Sequence, residues 1–506
     1  MKFSKLVILS ALSGILLALA FPKFNLFWIA WFALVPLFIA LGNTKNWKES
    51  VICGFFFGTV FFGIHLSWMN SLFRFVGWWV VLGWASLILF QTLFILLFAL
   101  IFRVFISDFS DPRMTSNIFQ SEATALVGGR RKDLIIISSL KRIAYVFFVA
   151  VLWIFIEWLR AWGPFGVTGG VVGYTQVNML PLIQIASFSS VYGVSFIVVM
   201  FNVSLALFVV NYRKWQPLFI LSLIIALCVG HGMQVIKAQV GAKGKRSISD
   251  VLRGSVKTVR LSLIQPNIDQ KDKLDASMIM STFNINDQLT RKAAFSSRPD
   301  IVVWPETAVF AYLLDDPILL AKIRRLLIET NTWLITGTPF YREGKAYNSI
   351  VSFSPRGEVI SRYDKERPVP FSEYLPFRKL LYPLLKGVGY YDGEFSANKD
   401  PQAIEAKRIK IAAAICFEST FPSLIRKRVE NNSDFILVLT NDAWFGDSSA
   451  PYYHINTGVF RAIENRKYFI QVGNSGVSAV IDPYGRILRR TDVNRRGILT
   501  FEIPLP

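Results

Sequence analysis

Hydrophobic positions change their pattern near residue 240. Before it, apolar residues run almost unbroken in windows of about 18 or more, the length a helix needs to cross roughly 30 Å of hydrocarbon. Seven such windows centre on Leu6 to Phe21, Leu26 to Leu41, Val51 to Phe73, Val76 to Phe102, Ile143 to Leu159, Leu182 to Val210 and Leu218 to Val235, the first being short. A competing reading makes that first window a signal peptide ending at Ala18-Leu19-Ala20; its removal would leave the orientation of the others unchanged. The pattern therefore predicts a membrane domain over residues 1–240 with about seven transmembrane helices, and a hydrophilic linker over 241–257 holding Gly241, Lys243, Gly244, Lys245 and Arg246.

From residue 258 to 506 short apolar runs alternate with amphipathic stretches. Strands are expected at Val259 to Ile264, Ile301 to Pro305, Trp333 to Thr338, Ser349 to Phe353, Glu358 to Tyr363, Ile409 to Ile415, Phe435 to Leu439, Phe469 to Val472 and Val477 to Ile481. Helices are expected around Met278 to Phe295, Pro317 to Thr330, Phe421 to Glu430 and His454 to Lys467. That order indicates an α/β domain, and about 250 residues suffice for one core.

The net charge of +21 would suggest nucleic acid in a soluble chain, but here much of it flanks the apolar windows. With the amino terminus inside, the cytoplasmic connections carry Lys2, Lys5, Lys45, Lys48, Arg103, Arg113, Arg130, Arg131, Lys132, Lys141, Arg142, Arg213 and Lys214, against Lys23, Arg74 and Arg160 outside. Thirteen against three sets the orientation by the positive-inside rule. An odd number of spans then leaves everything after Ala238 outside, which in a bacterium means the periplasmic side of the inner membrane, and no nucleic-acid partner is implied. The polar stretch Ile106 to Arg142 reads as a cytoplasmic loop without chemistry of its own.

Three expected strands end in an ionisable group: Glu306 after Trp304-Pro305, Lys365 after Asp364, and Cys416 after Ile415. In α/β sheets the carboxyl ends of strands are where ligands gather. Cys53 and Cys228 lie inside apolar windows, so Cys416 is the lone thiol outside them and has no disulfide partner in view. A carboxylate, an ammonium and a thiol are the parts of a nucleophilic acyl-transfer site. Glu306 against the Trp304 indole would have a raised pKa suited to a base, and Lys365 would steady an oxyanion. Each also has a plain structural reading: a strand-end Glu, a solvated surface Lys, a small buried Cys. His454 lies on an expected helix with no protease-like motif around it, so a structural or substrate-orienting role is favoured over catalysis. No spacing suits a metal site or a phosphate loop, and no cofactor is implied.

The fragments Trp304-Pro305-Glu306-Thr307, Tyr363-Asp364-Lys365, Val369-Pro370-Phe371-Ser372-Glu373, Ile415-Cys416-Phe417-Glu418 and Asn441-Asp442-Ala443-Trp444-Phe445-Gly446 resemble the motifs of the nitrilase superfamily. In this order behind a multi-span region that contains Glu157-Trp158-Leu159-Arg160 and Gly173-Tyr174, they are similar to its membrane-embedded branch, the bacterial apolipoprotein N-acyltransferases. The resemblance implies a four-layer α-β-β-α sandwich with Glu306 as base, Lys365 as oxyanion stabiliser and Cys416 as nucleophile. It implies Glu373 and Glu418 as supporting acids, although a structural ion pair serves equally for either. Trp444, Phe371, Tyr374 and His454 are candidate substrate-binding residues, and the apolar stretches around Phe371 to Leu385 and Trp444 to Tyr453 are candidate acyl-handling loops.

The implied reaction passes a fatty acyl chain from a phospholipid donor, through a Cys416 thioester, to the α-amine of an apolipoprotein's lipid-modified cysteine, with a monomer expected. The rivals are a membrane-tethered amidase, with water as acceptor, and a non-catalytic transporter or lipid-binding receptor; few ionisable residues in the apolar windows weigh against a carrier. The family pattern usually adds an eighth span after the catalytic domain, whereas this sequence stops at Pro506.

Overall fold

A computed structural model describes residues 1–109, 131–211, 215–245, 257–386, 394–430 and 432–505, in two compact units. The stretch expected as a cytoplasmic loop is helical through Phe109 and from Arg131, its middle lying outside the described residues, as does most of the expected linker.

The first unit, Met1–Trp162 with Gly166–Val235, is helical. Its principal helices are α1 (Phe3–Leu19), α2 (Val35–Gly42), α3 (Trp47–His65), α4 (Trp79–Phe109), α5 (Arg131–Ala161), α6 (Ala186–Val210) and α7 (Gln216–Lys245). Among the described residues, five are long and apolar enough to cross a membrane, α3 to α7; the first two windows instead form shorter apolar helices. The second window is interrupted, a 3₁₀ turn over Phe27–Trp31 preceding α2. In hydrocarbon every freed backbone group needs a partner. The buried Asn202 of α6 supplies it, its Nδ2 donating to the Ala30 carbonyl at 2.9 Å and its Oδ1 accepting from the Leu34 N–H at 2.8 Å. Helix α7 runs on to Lys245, so the start of the expected linker is helical.

The second unit comprises Gly163–Phe165 and Ile236–Pro506. Two six-stranded sheets are formed by its described residues. The first has the order β12-β1-β2-β3-β4-β5, from β1 (Thr258–Gln265), β2 (Ile301–Val303), β3 (Trp333–Arg342), β4 (Lys345–Phe353), β5 (Val359–Asp364) and β12 (Gly497–Pro504). The second runs β11-β10-β9-β8-β7-β6, from β6 (Ile404–Ala406), β7 (Ile409–Ile415), β8 (Phe435–Thr440), β9 (Phe469–Gly473), β10 (Ala479–Ile481) and β11 (Ile487–Arg490). Pairs β1/β2, β2/β3, β7/β8 and β8/β9 are parallel, so their carboxyl ends lie on one edge of each sheet.

Period-two alternation explains the layers. Leu261, Leu263, Ile301, Val303 and Ile335 of the first sheet share one core with Ile411, Ala413, Ile415, Leu437 and Leu439 of the second, so the sheets face each other. The intervening residues Val302, Leu334 and Val351 point the other way, into a second core with helices α9 (Ile279–Ser297) and α10 (Pro317–Thr330). On the far side, α12 (Pro422–Val429) and α13 (Ala450–Asn465) pack on the second sheet, while the short α8 (Gln270–Leu274) and α11 (Arg378–Leu385) lie in the connections after β1 and β5. The result is a four-layer α-β-β-α sandwich. Helix α10 shows how locally this is written: Asp316 caps the Ile318 and Leu319 N–H groups, Pro317 opens the first turn, and Leu319, Ile323, Leu326 and Leu327 form the buried stripe.

Two differences bear on the site. The strand expected to reach Pro305 ends at Val303, because proline has no N–H for the ladder. Three strands, β6, β11 and β12, were not foreseen; β12 pairs antiparallel with all of β1 and covers its edge.

Candidate active site

The ends of β2, β5 and β7 deliver buried Glu306, buried Lys365 and half-buried Cys416 into one cluster. Just after β2, Thr307 adopts φ +43°, a left-handed value unusual for a β-branched residue. This tight turn swings Glu306 inward and presses on Gly337 of β3, where a Cβ would lie 2.7 Å from the Glu306 Cα.

The expectation that Glu306 rests against the Trp304 indole is corrected. Strand alternation sends Trp304 into the outer core, where its Nε1 donates to Thr290 Oγ1 at 2.8 Å and its ring meets Phe283 edge-on. Burial itself is what raises the Glu306 carboxyl above its ordinary range, with the Glu373 charge adding to it and Lys365 and Asn348 opposing.

Lys365 is 1% exposed, so the solvated-lysine reading does not hold. Its Nζ lies 2.8 Å from Glu373 Oε2 and 3.7 Å from Glu306 Oε1. Burial alone would favour the neutral amine, but Glu373 and Glu306 overturn it and hold the pKa above the usual lysine range. Between the two acids sits Asn348 of β4, whose Nδ2 donates to Glu306 Oε1 and Glu373 Oε1, each at 2.8 Å. Glu373 is fixed further by the Val369 N–H at 2.7 Å. Sequence reasoning missed Asn348; the available signal was an amide in mid-strand, where asparagine is disfavoured.

Cys416 has φ +51° at the start of a 3₁₀ turn, and this strained turn ends the strand abruptly and tips the side chain off the sheet. Its thiol is held well above its ordinary pKa, first by burial and then by the Glu306 charge, with Lys365 pulling the other way. The sulfur is therefore a protonated thiol at rest. Glu418 is fully buried and ties this turn to the exit of β5: it accepts from Tyr363 Oη and Ile415 N at 2.7 Å each, from Glu366 N at 2.8 Å and from Arg367 N at 3.0 Å.

Two family models match in succession, the apolipoprotein N-acyltransferase N-terminal domain over residues 13–204 and the carbon-nitrogen hydrolase domain over 260–506. An apolipoprotein N-acyltransferase from Geobacter metallireducens is 31% identical, over 98% of this chain and 89% of its own length. The chain belongs to the apolipoprotein N-acyltransferase family. It is by that membership an acyl-transfer enzyme and a multi-pass membrane protein. A second relative of the same name, from Photobacterium profundum, is 28% identical over 96% of this chain and 86% of its own. Among solved structures, an amidase from Nesterenkonia sp. is 18% identical, covering 49% of this chain and 90% of that one at a TM-score of 0.37.

In this member of the N-acyltransferase family His454 lies beneath the thiol turn. Its Nε2 is 3.0 Å from the Cys416 carbonyl oxygen and 2.8 Å from Ser419 Oγ, and its Nδ1 is 3.3 Å from Asp442 Oδ1. Burial disfavours the imidazolium, yet the Asp442 carboxylate outweighs it and raises the pKa. Both ring nitrogens thus face acceptors, an arrangement that braces the turn and leaves neither nitrogen free to take the thiol proton. Of the apolar residues near the site, Leu375 is core, whereas Phe371, Phe377, Leu380 and Tyr452 are exposed and Tyr374 and Trp444 are half-buried. Among the described residues, no group of three or more His, Cys, Asp or Glu is placed to hold a metal ion.

Proposed function

We propose that this protein carries a fatty acyl chain on Cys416, taking it from a phospholipid and giving it to the α-amine of the diacylglyceryl-cysteine of an apolipoprotein. The observation that carries the reading is the cluster of buried Glu306 and Lys365 with half-buried Cys416 at three strand ends, with Lys365 Nζ 3.7 Å from Glu306. Glu306 takes the thiol proton as the sulfur attacks the ester carbonyl, and Lys365 stabilises the developing oxyanion. Collapse breaks the ester bond; Glu306 returns the proton to the leaving oxygen, and a lysophospholipid departs from the thioester. The acceptor amine then attacks the thioester, Glu306 takes its proton and passes it to the sulfur as the C–S bond breaks, and an amide and the free thiol result.

The raised thiol pKa fits this order of events. A resting thiolate would be exposed to oxidation, whereas here charge develops on sulfur only as Glu306 neutralises itself. Glu373 and Asn348 hold the base and the cation apart at a fixed distance, and Glu418 and His454 hold the turn that bears the thiol. The exposed Phe371 and Phe377, with Tyr374 and Trp444, serve as acyl-chain contacts. In this reading the catalytic unit faces the periplasm, and the charge asymmetry of the connections supports that side.

Intact-protein mass spectrometry after mixing with phospholipid tests the reading. A fatty-acyl adduct is expected, sensitive to hydroxylamine and lost in Cys416→Ser. An unmodified wild-type protein under turnover conditions would overturn it, and release of free acid with no acylated peptide would point to water as acceptor.

A further inference from the structure

Lys273 is a buried cation that the scheme above leaves unused. It lies near the end of a short helix, α8 (Gln270–Leu274), capped by Asp269, and is 3% exposed. Its Nζ donates to the main-chain oxygen of Glu306 at 3.1 Å and to Thr307 Oγ1 at 3.2 Å. Both acceptors belong to the strained turn that carries the base, the same turn that abuts Gly337. A lysine whose hydrogen-bond acceptors are neutral is expensive to bury. Burial pulls its pKa down to about 7, and the Glu306 carboxylate resists that fall.

Resting on the reading of Glu306 as base, we propose that Lys273 is a positioning residue for the reaction: its ammonium pins the Glu306–Thr307 turn and supplies a second positive charge, besides Lys365, that keeps the Glu306 carboxylate ionised until the thiol proton arrives. No bond to Lys273 forms or breaks; the proton moves from Cys416 to Glu306 alone. The charged and titratable groups acting on Glu306 are Lys365 after β5, Glu373 in the following loop, Lys273 on α8, Cys416 after β7 and His454 on α13. Lys273 is distinct among these cations in also gripping the main chain of the base. Its charge grows as pH falls through about 7, towards the range in which the carboxyl would otherwise take up a proton.

The test is the rate of acyl-enzyme formation by the full-length protein with phospholipid between about pH 5 and 9, for wild type, Lys273→Gln, Lys273→Met and Lys273→Arg. Losing a nearby cation raises a carboxylate's pKa by about one unit or more, so the acidic limb should move up by that amount in the Gln and Met variants. The rate at low pH should fall about tenfold for such a shift, with KM for phospholipid unchanged, and Lys273→Arg should restore the limb. A wild-type limb in Lys273→Gln overturns the inference. Should every Lys273 variant fail to fold, Thr307→Val decides: it removes one anchor and keeps the charge, so kcat should drop with the limb in place, and an unaffected kcat overturns the inference. Cys416→Ser run in parallel separates the two claims. An adduct in wild type that is absent from Cys416→Ser sustains the thioester whatever Lys273 does, whereas no adduct in wild type defeats both.

Discussion

The charged residues Glu306, Lys365 and Glu418 of the candidate site are buried, each less than a tenth exposed, and their partners rather than their types decide what they do. Cys416, Glu306 and Lys365 were visible in the sequence because each stands at the end of an apolar run. Asn348 and Lys273 were not, since their signal is proximity across about 40 and 30 residues of chain to the same carboxylate-bearing turn. The turn is also bounded by Gly337, where a Cβ would meet Thr307 N at 2.6 Å, Glu306 Cα at 2.7 Å and Pro305 O at 2.8 Å. All three are backbone atoms, which cannot swing aside. Gly337→Ala is therefore expected to displace Glu306 and, on the proposed scheme, slow acyl-enzyme formation by roughly tenfold to a hundredfold, measured by the growth of the acyl adduct. An unchanged rate would mean that the turn is not held as described.

At the scale of elements, close approach decides which helices pair. On α3, Gly54 and Gly58 stand four residues apart on one face and meet α4: a Cβ at Gly58 would lie 2.8 Å from Thr92 Cγ2, and one at Gly54 would lie 3.0 Å from Ala99 Cβ. Small residues at this spacing let helices pack without lipid between them. Thr92, β-branched and in a helix, has little rotamer freedom with which to yield. Gly58→Ala is expected to lower stability in detergent by about 1–3 kcal/mol. Gly63→Ala serves as the control on the same helix, because its Cβ would find only Ile88 Cδ1 at 3.9 Å; the substitution should be neutral or slightly stabilising. Thermal unfolding followed by circular dichroism checks the pair, and equal melting temperatures would sink the argument. Strand and helix types in the sandwich were largely legible, since their alternation is local. The broken second window was not, because its interruption is made tolerable by Asn202, which lies more than 160 residues away.

At the scale of the whole molecule, the distribution of charge sets orientation. Thirteen basic residues on one set of connections against three on the other predict that alkaline phosphatase fused after residue 257 is active and that a fluorescent protein fused there is dark; the opposite pair of results would reverse the assignment of sides. What the sequence determined by itself is what depends on neighbours along the chain: the change of period near residue 240, the apolar windows, the strand ends that present Glu306, Lys365 and Cys416, and the sign of each connection. What only the tertiary structure decided is what depends on packing. Strand order put β12 on the free edge of β1, side-chain alternation turned Trp304 away from Glu306, and folding buried Lys365 between two carboxylates. It also brought Asn348 and Lys273 into hydrogen bonds with Glu306. Periodicity reports which face of an element is apolar, but a pKa, a bridging amide or a buried ammonium arises from what lies opposite that face, and nothing local in the chain specifies it.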